Sequence, residues 1–145
     1  MGFGLPAAMG TKVGCPDTTV WLIDGDGSFQ MTIQELATLV QDNIAVKIAI
    51  LNNGYLGMVR QWQELFYKRR YSHTPLCNPD FVKLAQSYGA VGLRATRKEE
   101  VRPTIEKALS SDNVVFIDFQ IEPEENVFPM VPAGEAIDRM IGGMA

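Results

Sequence analysis

Two strand endings constrain this chain more than any other feature. A compact apolar run, Thr19-Val20-Trp21-Leu22-Ile23, stops at Asp24-Gly25-Asp26-Gly27. A second, Val46 to Leu51, stops at Asn52-Asn53-Gly54. Between them lies a stretch with helical spacing: Ile33, Leu36, Ala37 and Val40 share one apolar face. Thr32 followed by Glu35 reads as a capping box that starts that helix. One strand, one helix and a second strand of this length close a right-handed parallel unit, so both endings arrive on the same sheet edge. Ligands of such sheets sit beyond the carboxyl ends of the strands.

The rest of the chain repeats the alternation. Gly4 to Val13 reads as a short helix. Tyr55 to Tyr67 is helical, with Met58, Trp62, Leu65 and Phe66 on one side. Asn78-Pro79-Asp80 supplies an N-cap, a first-position proline and a first-turn acid. The helix it opens buries Phe81, Leu84, Ala85 and Tyr88 and ends at Gly89. Ala90 to Ala95 and Val114 to Ile121 read as two more strands. Between them Thr96 and Glu99 suggest a first helical turn, and Pro103 is expected to restart the helix. The fold class is therefore α/β, a mostly parallel sheet flanked by helices. The tail from Glu122 to Ala145 shows no regular element before Glu135 to Ile141.

Chemistry concentrates at the two endings. Glycines let backbone approach a ligand closely, and the N–H groups that open the next helix attract phosphate. Asp26 would repel a phosphate unless a cation stood between them. Mg²⁺ suits that place, because it takes oxygen ligands and shares them with substrate phosphates and water. Asn52-Asn53 can add a neutral oxygen. Asp-Gly and Asn-Gly alone are ordinary turn pairs; their pairing at two strand ends of one unit favours a cation and a diphosphate.

Other signals exclude more than they assign. The net charge of −4 argues against a nucleic-acid partner, and Lys68, Arg69 and Arg70 read as a solvated loop. The single histidine, His73, excludes a multi-histidine metal site within the chain. Cys15 and Cys77 fit no Cys-x-x-Cys pattern and read as free thiols. No apolar run reaches the ~18 residues of a membrane span.

Gly-Asp-Gly followed, slightly under thirty residues on, by Asn-Asn resembles the thiamine diphosphate-binding motif. Met1-Gly2-Phe3-Gly4-Leu5-Pro6, Gly57-Met58-Val59-Arg60-Gln61-Trp62, Tyr71-Ser72-His73-Thr74, Asn78-Pro79-Asp80-Phe81 and Phe128-Pro129-Met130-Val131-Pro132 extend the likeness along the whole chain. It resembles the C-terminal third of the acetolactate synthase large subunit. The resemblance implies a thiamine diphosphate/Mg²⁺-binding domain over 1–121 and an active-site cover over 122–145. It implies Asp26, Asn53 and the carbonyl of Tyr55 as metal ligands. Met1, Gly25, Gly27, Ser28, Gly57 and Met58 are implied in cofactor binding, with Met1 beneath the bent cofactor. Met58 and Trp62 are implied as the wall for the second 2-oxo acid.

The implied reaction decarboxylates pyruvate and joins the resulting two-carbon unit to pyruvate or 2-oxobutyrate, entering branched-chain amino acid synthesis. In the family the activating glutamate lies in a domain of the partner subunit, and FAD binds mainly outside this segment. The chain is therefore expected to be an N-terminally truncated portion, inactive alone. The implied whole is a homodimer or tetramer, with a small regulatory subunit as a further partner, in the cytoplasm or in the plastid of a plant or alga. Other thiamine diphosphate decarboxylases, oxidases and carboligases share the Mg²⁺ motif. A non-catalytic βαβ binding module stays open beside them.

Overall fold

The computed structural model describes residues 1–142. Its centre is a four-stranded, wholly parallel sheet in the order β1-β2-β4-β3. The strands are β1 (Val20–Gly25), β2 (Val46–Asn52), β3 (Val91–Ala95) and β4 (Val115–Gln120). Trp21 pairs with Lys47 and Lys47 with Val115, so the carboxyl ends Gly25, Asn52 and Gln120 lie on one edge. Val46 to Ile50 is buried without a break, as is Val115 to Phe119. Central strands covered on both faces lose the polar alternation of half-exposed ones.

The first face carries the larger core. Helices α1 (Gly4–Gly14), α3 (Glu35–Gln41) and α5 (Phe81–Ser87) bring Leu5, Leu36, Leu39 and Phe81 against Leu22, Ile48 and Phe116. Phe29, on the short helix α2 (Asp26–Phe29), meets Phe116 edge-on at 4.9 Å, and Phe81 stacks on Phe116 at 5.6 Å. The second face is covered by α6 (Lys98–Leu109), which lies over β3 and β4. Ala108 closes there on Ala49, Ala95 and Ile117. Across the β1–β2 half of that face Trp21, Ile23, Leu51 and Ile121 line an open apolar groove, and Ile23 is 71% exposed.

Four local expectations are corrected. Thr32 and Glu35 make no capping box. α2 leads into a 3-10 turn at Gln30–Thr32, and backbone torsions stay helical through Phe29, Ile33 and Gln34. An N-cap requires extended backbone, which is absent there. The α5 cap is Asp80, not Asn78. Asp80 is extended, and its carboxylate accepts from the N–H groups of Val82 and Lys83, which holds it below the usual carboxylate range. Pro103 does not restart α6; the helix runs through it. The turn ahead of the proline is fastened by Glu100, whose carboxylate accepts from the N–H of Thr96 and Arg97 and from the Arg97 guanidinium. Glu135 to Ile141 forms turns and an isolated bridge between Met130 and Ile141 rather than a helix or strand. Residues 143–145 of the expected cover lie outside the described residues.

Candidate functional site

The carboxyl edge of the sheet opens into one cavity. Met1, Gly25, Asp26, Gly27, Ser28, Asn53, Tyr55, Gly57 and Met58 all line it, with Leu51, Leu56, Val59 and Ile121 completing the wall. Three elements deliver them. β1 ends at Gly25 and α2 starts on Asp26. β2 ends at Asn52, and the turn through Gly54, at φ +70, leads to α4 (Gly57–Phe66). That φ suits glycine. Gly57 is fixed by packing instead: a Cβ there would stand 2.9 Å from Asn53 Nδ2.

Asp26 is 1% exposed and its two oxygens differ. Oδ2 accepts from Asn78 Nδ2 at 2.6 Å and from the Gly54 N–H at 3.1 Å. Oδ1 is buried with no hydrogen-bond partner. A buried carboxylate oxygen without a donor is costly unless something positive meets it. Asn53 Oδ1 accepts from the Tyr55 N–H at 3.1 Å, and an amide oxygen keeps a second lone pair. One carboxylate oxygen, one amide oxygen and a main-chain carbonyl suit a hard cation that shares its sphere with phosphate and water. The first N–H groups of α2 have no intrahelical acceptor and suit the phosphate itself. Ser28 Oγ accepts from the Gly2 N–H at 3.0 Å, which ties the Met1–Gly2 backbone to this wall and leaves the hydroxyl hydrogen for a ligand. These residues fit a metal-bound diphosphate.

Asn78 is the functional residue that sequence reasoning missed. The Tyr55–Pro75 bridge, with Leu56 N–H donating to Thr74 O and Leu76 N–H to Gly54 O, folds the 74–78 loop onto the strand ending. In the sequence, Asn-Pro-Asp reads as a cap, and nothing in its spacing points to Asp26.

Trp62 lies apart from the cavity shared by Asp26 and Met58. With Phe66 and Tyr67 it faces Met130 to Ala133 across an adjoining groove. The apolar side of α4 is open, with Met58 45% and Trp62 50% exposed, while its buried residues are Arg60 and Gln61. Both polar groups hold the segment after β4. Gln61 donates to Val127 O and accepts from the Val127 N–H, each at 2.9 Å. The Arg60 guanidinium lies 3.2 Å from Glu64 and 3.4 Å from Glu124, and packs over the Tyr55 and Tyr71 rings. Gln61→Ala removes both bonds to the Val127 backbone, at about 1–3 kcal/mol for the pair. Limited proteolysis should then cut within 122–131 about tenfold faster, with the sheet intact.

The remaining candidates stay outside the cavity. His73 stands on the exposed 67–77 loop at φ +55, its Nδ1 2.6 Å from Ser72 Oγ. Lys68 and Arg69 take left-handed turn conformations in the same exposed loop. Cys15 and Cys77 are exposed free thiols. Among the described residues no three His, Cys, Asp or Glu side chains form a metal cluster, and no helix is long and apolar enough to cross a membrane.

Comparison with known proteins agrees with this geometry. Residues 1–119 match the family described as thiamine pyrophosphate enzyme, C-terminal TPP binding domain. The chain is 54% identical to an acetolactate synthase of Mycobacterium bovis, over 97% of this chain and 24% of that protein. It is 47% identical to the acetolactate synthase isozyme 2 large subunit of Escherichia coli, over 97% of this chain and 26% of that protein. It thus spans about a quarter of the length of these curated relatives. Among solved structures, a thiamine diphosphate-dependent 4-hydroxybenzoylformate decarboxylase of Rhodococcus jostii superposes with a TM-score of 0.78 at 32% identity. That match covers 87% of this chain and 24% of the other. A parallel sheet whose carboxyl edge carries the Gly-Asp-Gly and Asn-Asn endings in one cavity, matched over residues 1–119, establishes that the chain belongs to the C-terminal thiamine pyrophosphate-binding domain family.

Proposed function

We propose that this chain is the cofactor-holding part of an acetolactate synthase, and that it binds thiamine diphosphate through Mg²⁺. The observation that carries the reading is the partnerless, buried Oδ1 of Asp26 in a carboxylate that lines the cavity. Asp26, Asn53 and the carbonyl of Tyr55 are the proposed metal ligands. Gly25, Gly27 and Ser28 hold the diphosphate, and Met1, Gly57 and Met58 flank the rest of the cofactor. Thiamine diphosphate supplies the electron sink that lets a 2-oxo acid lose carbon dioxide. The chain's own residues bind and orient it, and Met58 and Leu56 present apolar surface beside it.

Trp62 and Met58 are the proposed wall for the second 2-oxo acid. One methylene in an apolar pocket is worth about 1–3 kcal/mol, which sets the scale of any preference for 2-oxobutyrate over pyruvate. The segment 122–145 is the proposed cover, docked through Arg60 and Gln61. In the full-length protein we propose FAD outside this segment, an activating glutamate from a partner subunit, and a homodimer or tetramer with a small regulatory subunit. The cytoplasm is the proposed site, or the plastid in a plant or alga.

The test is a calorimetric titration with thiamine diphosphate, in Mg²⁺ and in EDTA, beside a product assay. Saturable binding that disappears in EDTA is expected. The 145-residue chain alone is expected to form no acetolactate, and the full-length protein to form it from pyruvate. Binding that is indifferent to EDTA overturns the metal-mediated reading and favours a different βαβ binding module.

A further inference from the structure

We propose that Asn78 and Asn52 are positioning residues that fix the plane of the Asp26 carboxylate so that one of its oxygens stays free for the cation. The inference rests on the cofactor reading above. Asp26 can turn about its terminal torsion, and its two oxygens are chemically equal until something tells them apart. Asn78 does so: its Nδ2 donates to Oδ2 at 2.6 Å, and the Gly54 N–H adds a second bond to the same oxygen. Rotation of the carboxylate out of this plane would forfeit both bonds, and a half-turn only exchanges two equivalent oxygens, so one oxygen always stays free.

Asn78 is itself held. Its Nδ2 also donates to Asn52 Oδ1 at 2.9 Å, and Gln30 Nε2 donates to Asn78 Oδ1 at 2.8 Å. Asn52 Nδ2 in turn donates to Asp118 Oδ1 at 2.9 Å. Asp118 is 1% exposed, and its other oxygen takes the Arg94 Nε at 2.9 Å. Arg94 reaches on to Asp80, the cap of α5, at 2.7 Å. The series touches the ends of all four strands: Asp26 beyond β1, Asn52 on β2, Asp118 on β4 and Arg94 on β3.

Direction matters along this series. Asn52 must present its oxygen to Asn78 and its nitrogen to Asp118, because an ionised carboxylate only accepts. Asp118 thereby fixes the orientation of Asn52, Asn52 that of Asn78, and Asn78 that of Asp26. Asp118 also has both oxygens engaged and its charge met by Arg94, so it does not compete with Asp26 for the cation. Outer groups that orient a metal ligand typically govern affinity by about 10–100-fold.

The experiment measures Mn²⁺ binding by electron paramagnetic resonance in the full-length protein at saturating thiamine diphosphate. Asn78→Ala is expected to raise the Mn²⁺ dissociation constant about 10–100-fold. Asn52→Ala, which leaves Asn78 in reach of Asp26 but unanchored, is expected to raise it by a smaller factor. Thiamine diphosphate affinity at saturating Mn²⁺ should be recovered in both. Leu36→Val, a core change remote from the series, is the control: it lowers the melting temperature and leaves Mn²⁺ affinity unchanged. Should Asn78→Ala not fold, Asn52→Ala alone decides. Mn²⁺ affinity at the parent value in the folded variants overturns the positioning role. Failure of the unsubstituted protein to bind Mn²⁺ with thiamine diphosphate overturns instead the cofactor reading, and the positioning role with it.

Discussion

Asp26→Ala should abolish metal-dependent binding of thiamine diphosphate while the chain stays folded. The variant removes the buried carboxylate and the partnerless Oδ1, and leaves the cavity lined by neutral groups. Changes to outer groups around a metal cost about 10–100-fold in affinity, so loss of a ligand should exceed that range. The Asn78 amide and the Gly54 N–H lose their acceptor, which costs about 1–3 kcal/mol each where no water replaces it. A cost of that size lowers the melting temperature without dissolving the sheet. Calorimetric titration in Mg²⁺ and in EDTA reads the outcome: the parent differs between the two and the variant does not. A variant that binds like the parent would show that Asp26 carries only the turn.

The second large effect is on stability. Phe116→Ala should destabilise the chain by about 3–5 kcal/mol, read from the midpoint of urea unfolding. Phe116 sits on β4, fully buried, with Phe29 and Phe81 against its ring. A single domain has only about 5–15 kcal/mol to lose, so the variant approaches the threshold of folding. Phe29 opens toward the cofactor end and Phe81 belongs to the helix capped by Asp80, so the same cavity would loosen both. A change below about 1 kcal/mol would mean that the three rings repack around the gap.

What could be read in the sequence was local or periodic. The strands, the helices between them and the two polar endings follow from short-range patterns, and Asp26 and Asn53 do face one cavity. What could not be read depended on tertiary contacts. Asn78 looks like a cap because Asn-Pro favours caps, yet the loop after α4 folds back and spends its amide on Asp26. Asp80 then takes over the cap. Arg60 and Gln61 look like the solvent side of α4, since Met58 and Trp62 mark the opposite face as apolar. The post-β4 segment reverses that assignment by covering Arg60 and Gln61 and pairing its own backbone groups with them. Arg94 and Asp118 lie on different strands, and no one-dimensional pattern pairs them.

The sheet also separates two buried apolar clusters of unequal size. On one face leucines, isoleucines and three phenylalanines interlock between the sheet and helices α1, α2, α3 and α5. On the other, α6 rests on β3 and β4 through a smaller cluster in which alanines do much of the packing. Such a helix can detach in a sub-global opening while the aromatic layer persists. The site edge draws on the larger cluster, because β1, α2 and β2 all contribute to that layer. Through β1, α2 and β2 the binding cavity is therefore tied to the larger cluster, while Leu51 and Ile121 carry its wall through to the groove on the other face.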